Sequence, residues 1–260
     1  MTKTGILVVS FGTSYQDAFI KNIRAIETAI GEAFPECEVR RAFTSGMIIK
    51  KLKKRDGFHV DTVEEALEGF LADGFTDLIV QPTHIINGIE NDNMLKALDA
   101  CKGRFHSIRV GTPLLTDTED YRALIDSVTK EFSNLREEEF LVFMGHGSEH
   151  YANAVYPALD YMLKADGHQN IYIGTVEGYP DLNLVKDLVR KKAPKKVLLA
   201  PLMIVAGDHA INDMAGDSAD SWKNEFLGEG YEVSCILKGL GEYREVQKLF
   251  TEHAKKAAAL

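Results

Sequence analysis

Leu7-Val8-Val9-Ser10-Phe11-Gly12-Thr13-Ser14 and Leu141-Val142-Phe143-Met144-Gly145-His146-Gly147-Ser148 follow one plan, allowing a one-residue slip. Each is an apolar run that stops in glycine and small hydroxyl residues. Eight short runs of this kind are spaced along the chain: Gly5–Ser10, Glu38–Phe43, Asp77–Gln81, Ser107–Gly111, Phe140–Gly145, Asn170–Thr175, Lys196–Pro201 and Tyr231–Ile236. They are rich in Val, Ile and Leu and do not alternate cleanly with polar residues, which suits strands buried on both faces of a parallel sheet. Amphipathic stretches separate them. In Asp120–Phe132, for example, Tyr121, Leu124, Ile125, Val128 and Phe132 recur at helical spacing. Alternating strands and helices imply right-handed βαβ units.

The eight runs divide into two sets of four. Pro82-x-x-Ile85-Ile86-x-Gly88 matches Pro201-x-x-Ile204-Val205-x-Gly207, and an Asn-Asp pair and a Met follow in both, at Asn91, Asp92 and Met94 and at Asn212, Asp213 and Met214. Glu119-Asp120-Tyr121-Arg122 resembles Glu242-Tyr243-Arg244. The offsets, about 119 to 135 residues, are those of a duplicated domain. The expected architecture is α/β, with two similar lobes, each a four-stranded parallel sheet flanked by helices, and a cleft between them. The polar stretch Ser133–Glu139 sets the boundary, giving lobes over 1–135 and 136–260. The end of the chain, Lys255-Lys256-Ala257-Ala258-Ala259, reads as a fraying helix.

Composition narrows the function. With 260 residues, 45% of them apolar and 27% charged, the chain can bury a core without staples. A net charge of −9 argues against nucleic acid and against anionic membranes as partners. No apolar stretch approaches the roughly 18–20 residues that span a bilayer. The N-terminus lacks the pattern of a signal peptide. Three widely spaced cysteines, Cys37, Cys101 and Cys235, form no disulfide framework. Together these point to the cytoplasm.

The informative side chains sit at strand ends in the second half. His146 follows the fifth run, Glu177 the sixth, in Thr175-Val176-Glu177-Gly178, and His209 the seventh, in Ala206-Gly207-Asp208-His209. In the first half the matching positions carry Phe11, roughly Thr44, and Glu90. Two imidazoles and a carboxylate can hold a divalent transition metal with positions left open. No thiolate joins them, so binding is reversible and the groups can take protons once the metal leaves. Each residue also has a plainer reading, as a turn or helix-start residue. Their joint placement favours a metal centre. Metal-assisted hydrolysis and a two-lobed small-ligand binding protein remain alternatives on the residues alone. A serine hydrolase is unsupported without a G-x-S-x-G elbow, as is a dinucleotide site without the third glycine after Gly145 and Gly147.

Ser10-Phe11-Gly12-Thr13-Ser14, Ala42-Phe43-Thr44-Ser45-Gly46-Met47-Ile48-Ile49, His84-Ile85-Ile86-Asn87-Gly88, Phe143-Met144-Gly145-His146-Gly147 and Gly207-Asp208-His209-Ala210-Ile211-Asn212-Asp213-Met214 occur in this order. In these motifs, over nearly its whole length, the chain resembles the anaerobic cobaltochelatases, class II chelatases that insert Co²⁺ into sirohydrochlorin during cobalamin synthesis. The resemblance implies a chelatase-like, flavodoxin-like fold and a tetrapyrrole substrate with eight carboxylates. It implies Co²⁺ as the substrate metal, Fe²⁺ or Ni²⁺ as in vitro substitutes, and no organic cofactor. It places the metal and catalytic roles on His146, Glu177 and His209. Sirohydrochlorin ferrochelatase activity is the neighbouring alternative, and a homo-oligomer stays open.

Ser10, Thr13, Ser14, Thr44 and Ser45 lie where strands pass into helix N-termini, which attract anions; their plainer role is capping. With Phe11 and His84 they form the expected substrate contacts. The run Lys50-Lys51-Leu52-Lys53-Lys54-Arg55 could steer an anion, or be the solvated face of a helix whose inner side is Ile48 and Leu52. Asp208, Asp213, Asp217 and Asp220 could draw metal to the site or solvate a loop.

Overall fold

The structure is a computed structural model and describes residues 2–260. It divides into two compact units, one of residues 1–120 with 241–260, the other of residues 121–240.

In the first unit β1 (Thr4–Ser10) pairs in parallel with β2 (Glu38–Phe43) on one edge and β3 (Asp77–Pro82) on the other, and β3 pairs with β4 (Ser107–Val110). In the second unit β5 (Glu139–Gly145) lies between β6 (Ile171–Thr175) and β7 (Lys196–Leu202), and β7 pairs with β8 (Glu232–Cys235). The eight expected strands are therefore present, with ends shifted by one residue or so. Both units use the same strand order, and the repeat holds at the level of register: Pro82 lies opposite Val9, and Pro201 opposite Met144.

β1, β3, β5, β6 and β7 are buried on both faces, as their apolar runs require, while β2, β4 and β8 are buried only in part. Leu7 and Val9 join a cluster with Leu67, Phe70, Leu78 and Met94. Ile6 and Val8, also fully buried, point by alternation to the opposite face. In the second unit Val142 and Met144 pack with Val185, Trp222 and Phe226. Gly174 makes room for this: a Cβ there would lie 2.9 Å from the Trp222 ring and from Val185. Among the described residues no helix is long and apolar enough to cross a membrane.

Two expectations about the end of the chain are corrected. The first is the lobe division at 135/136. Residues 241–260 pack with the first unit, and the helix Thr118–Glu131 enters the second unit at Tyr121. The cause is a helix over Arg244–Lys255 that lies against the helix Arg24–Ala33 and against β3. The second correction concerns the last residues, which are not a fraying helix. Ala258–Ala259 forms β9, antiparallel to β4, and makes the first sheet five-stranded rather than four-stranded. It covers an edge that would otherwise expose unpaired backbone groups.

A buried pair fixes this return. His253 Nε2 lies 2.8 Å from Asp120 Oδ1 and Nδ1 lies 3.0 Å from the Thr112 carbonyl oxygen. The other Asp120 oxygen accepts from the Thr116 and Asp117 amides, each at 3.0 Å. Both side chains are only 7% exposed. Removing one partner of such a pair strands the other in a dry site. Asp120→Ala or His253→Ala is expected to cost about 3–5 kcal/mol of stability, read by urea denaturation; a loss near zero would show that the pair does not hold the C-terminal helix.

His84, at the end of β3, is buried, and neither ring nitrogen has a hydrogen-bond partner among the described residues. Burial pushes its imidazole down to about 4. Below the ordinary histidine value of about 6.5 the unfolded chain binds a proton that the folded chain refuses, so stability falls as pH drops toward 4. The full effect is about 3 kcal/mol over this window. His84→Leu should flatten this part of the unfolding free energy against pH, and an unchanged slope would contradict the account.

Candidate metal centre

Strand register brings the second unit's site together. Gly145 at the end of β5 pairs with Thr175 on β6 and with Leu202 on β7. Three strand ends thus finish level, and β5 stands where the connections turn to opposite sides of the sheet, the place where open α/β sheets bind ligands. His146 leaves β5 directly, Glu177 lies two residues past β6, and His209 lies in the loop after β7.

The first two loops are bonded backbone to backbone. The Val176 amide donates to the Gly145 carbonyl at 3.1 Å, and the Glu177 amide to the His146 carbonyl at 2.8 Å. This closeness requires Gly147. Its φ is +82°, and a Cβ would lie 2.6 Å from the Gly178 nitrogen. Asn153 ties the same loops: its Oδ1 accepts from the Ser148 amide at 3.0 Å and its Nδ2 donates to the Tyr179 carbonyl at 2.7 Å. The Tyr179–Pro180 peptide is cis, and the Pro180 carbonyl accepts from both the amide and the hydroxyl of Thr175. Beneath the site the Tyr156 ring fills the space that a side chain on Gly145 would need. Burial pushes the Tyr156 hydroxyl up to about 12, against the pull of the Gly147 and His146 amides, so it stays a neutral phenol.

His209 is placed differently. It precedes a π-helical turn over Ala210–Met214, anchored in the core by the fully buried Ala210 and Met214. The turn brings Asp213 back so that its Oδ2 lies 2.6 Å from His209 Nδ1.

The His146 and His209 rings meet edge to face with centroids 4.8 Å apart. Glu177 Oε2 lies 3.7 Å from His146 Nδ1. One potential ligand atom from each of the three residues falls within 4.8 Å of the others, and all three side chains reach solvent. The hydrogen bonds also set the tautomers. His146 Nδ1 faces the Gly147 carbonyl oxygen at 3.0 Å, which can only accept, and His209 Nδ1 faces a carboxylate. A hydrogen on each Nδ1 suits these acceptors and puts the lone pair of each ring on Nε2. Metal-binding histidines are commonly held in this way. Two imidazoles, a carboxylate and no thiolate suit a borderline divalent ion with coordination positions open to exchange.

The structure treats the other expected contacts less evenly. Ser10, Thr13, Ser14 and Ser45 are buried. The Ser10 hydroxyl bonds Thr83 Oγ1 at 2.8 Å, Thr13 Oγ1 accepts from the Tyr15 amide at 3.2 Å, and Ser45 caps the helix Gly46–Asp56. The Ser10, Thr13 and Ser45 hydroxyls thus serve local structure, the plainer of the two roles expected for them. Thr44 is half-buried, its hydroxyl oxygen without a partner among the described residues, and Phe11 is exposed. Ile49 and Leu52 form the inner side of the Gly46–Asp56 helix and leave most of its basic run solvated, while Arg55 donates to the Ser14 carbonyl. Of the four aspartates in the region, Asp213 bonds a site imidazole, Asp217 pairs with Lys223 and Asp220 accepts from Ser218.

Sequence reasoning named Asp213 only for its charge, and it passed over Asn153, Tyr151 and Tyr179. Asp213 carried a signal, its i,i+4 spacing from His209. Asn153 carried none, since its role depends on two loops meeting. Tyr151 and Tyr179, exposed on those same loops, went unremarked.

Comparisons with known proteins show the family. The model of the cobalt chelatase (CbiK) family matches residues 4–259. The sirohydrochlorin cobaltochelatase of Salmonella typhimurium is 42% identical over 255 residues, covering 98% of this chain and 96% of that protein. The sirohydrochlorin cobaltochelatase CbiKC of Nitratidesulfovibrio vulgaris is 31% identical over 266 residues, covering 100% of this chain and 92% of that protein. Among solved structures, SirB from Bacillus subtilis with Fe³⁺ shares the fold at a TM-score of 0.65 and 14% identity, covering 98% of this chain and 95% of that one. A family match over almost every residue, with relatives alike from end to end, makes this chain a member of the cobalt chelatase (CbiK) family.

Proposed function

We propose that the chain inserts Co²⁺ into sirohydrochlorin, with His146, Glu177 and His209 holding the ion before transfer. The observation that carries this reading is the convergence of these three side chains at the level ends of β5, β6 and β7, in a chain alike throughout to two sirohydrochlorin cobaltochelatases.

Insertion exchanges one divalent ion for two pyrrole N–H protons. The ion's charge makes those protons easier to lose, and a base near the ring takes them. The Nε2 lone pairs of His146 and His209 hold the ion first. As the macrocycle nitrogens replace them, the same lone pairs are free to accept protons. Asp213 orients the His209 ring by accepting from Nδ1. Glu177 adds a negative charge, which draws the ion in and balances it. The donor set does not by itself select cobalt, because affinities rise from cobalt to nickel to copper at such sites. Fe²⁺ and Ni²⁺ are therefore expected as alternative substrates in vitro. Tyr151 and Tyr179 offer aromatic faces beside the centre against which a flat ring can lie.

The test is an anaerobic assay that follows the visible spectrum of sirohydrochlorin with Co²⁺, Fe²⁺ and Ni²⁺ in parallel. Multiple turnovers with Co²⁺ are expected; a shift that stops at one equivalent would mean binding without catalysis. His146→Ala and His209→Ala should each lower kcat/KM at least about 100-fold with the fold retained, and Glu177→Gln about tenfold or more. Wild-type turnover in a His146→Ala/His209→Ala double variant would remove both from the mechanism. Asp213→Asn should act mainly through the metal, raising the KM for Co²⁺ by about 10–100-fold. An unchanged KM there would reduce Asp213 to a loop residue.

A further inference from the structure

The first unit carries a second set of metal-ligating side chains, apart from the strand-end centre. Gly57, in the left-handed conformation at φ +65°, ends the helix Gly46–Asp56. The chain then runs to Thr62, the cap of the next helix, Val63–Ala72. Val60 and Val63 are buried and pin the connection, while the Phe43 amide donates to the Asp61 carbonyl at 3.0 Å. With Val60 turned inward, His59 and Asp61 on either side of it reach solvent. Glu65 joins them from the first turn of the helix. Its carboxylate is held by a reciprocal cap: Oε2 accepts from the Thr62 amide at 2.9 Å, and the Glu65 amide donates to Thr62 Oγ1 at 3.2 Å.

His59 Nε2 lies 3.2 Å from Asp61 Oδ1 and 3.5 Å from Glu65 Oε2. One atom from each residue falls within 4.8 Å of the others. Bonds of about 2.0–2.2 Å to a tetrahedral ion put neighbouring ligand atoms about 3.3–3.6 Å apart, so His59 already stands at ligand spacing from both carboxylates. No Lys or Arg among the described residues pairs with Asp61 or Glu65. The nearby arginines are engaged elsewhere, Arg41 with Glu27 and Arg40 with Glu38 and Asp73. A groove of about 510 Å³ lined by His59, Asp61 and these arginines leaves room for water on the remaining coordination positions.

We propose that His59, Asp61 and Glu65 form a second divalent-ion site, suited to Zn²⁺, Co²⁺ or Ni²⁺ by its imidazole and two carboxylates. It is half-exposed and draws none of its ligands from the strand-end centre, so the ion would exchange with solvent and is not assigned a part in insertion. The bound ion would bridge the Gly57–Asp61 connection to the first turn of the following helix.

Equilibrium dialysis with Co²⁺ alone, without tetrapyrrole, counts the ions. The wild-type chain should bind two. His59→Ala and Glu65→Gln should each bind one and keep wild-type insertion rates. Glu65→Gln preserves the capping hydrogen bond, so loss of the ion there is not loss of the helix start. The His146→Ala/His209→Ala variant should also bind one, and the visible absorption of that ion should vanish when His59→Ala is added. Equal stoichiometry in wild type, His59→Ala and Glu65→Gln would overturn the second site. Loss of all binding in the His146→Ala/His209→Ala variant would overturn it as well. A wild-type count of one that His59→Ala abolishes would instead support this site and count against the strand-end centre.

Discussion

The candidate metal centre depends on β5 being hydrogen-bonded along both edges. A strand paired on one side only would place one neighbouring loop beside it. Pairing with β6 and β7 together levels Gly145 with Thr175 and Leu202, so that three loops leave the sheet along one line. The unbroken burial of β5 makes this register hard to shift, since every residue from Glu139 to Gly145 is packed away from water. Histidines on neighbouring loops can then meet within 4.8 Å, although 63 positions separate His146 and His209 in the chain.

On that base the two histidines are held by different means. His146 is oriented by its own loop, through the Gly147 carbonyl, while His209 is oriented by a carboxylate four residues on. The two rings are thus anchored through the same nitrogen by partners of different charge.

Much of this was legible in the residues. The eight strands showed themselves because strands buried on both faces need runs of Val, Ile and Leu. The trio showed itself because each member follows such a run within a few residues and beside glycine. What escaped was non-local. Ala258–Ala259 pairs with β4 through backbone alone, and two alanines carry no strand signal. The return of residues 241–260 turns on His253 meeting Asp120, a contact between distant positions that a repeat pattern cannot reveal; the repeat instead suggested an even division. The strand-end serines looked like anion receptors because a hydroxyl at a helix start can serve either a ligand or the backbone. Which of these it serves depends on how neighbouring loops close over the strand end, as at His84, whose carbonyl accepts from the Leu114 amide.

The discontinuous make-up of the first unit orders events during synthesis. Residues 121–240 are contiguous and can complete their sheet as soon as they have left the ribosome. Residues 1–120 emerge earlier but must wait for 241–260 to supply β9 and the helix over Arg244–Lys255. Until then β4 keeps a bare edge and the helix Arg24–Ala33 lacks its cover. The first half of the chain to be made is therefore the last to mature, and in the interval it is the half most in need of a chaperone.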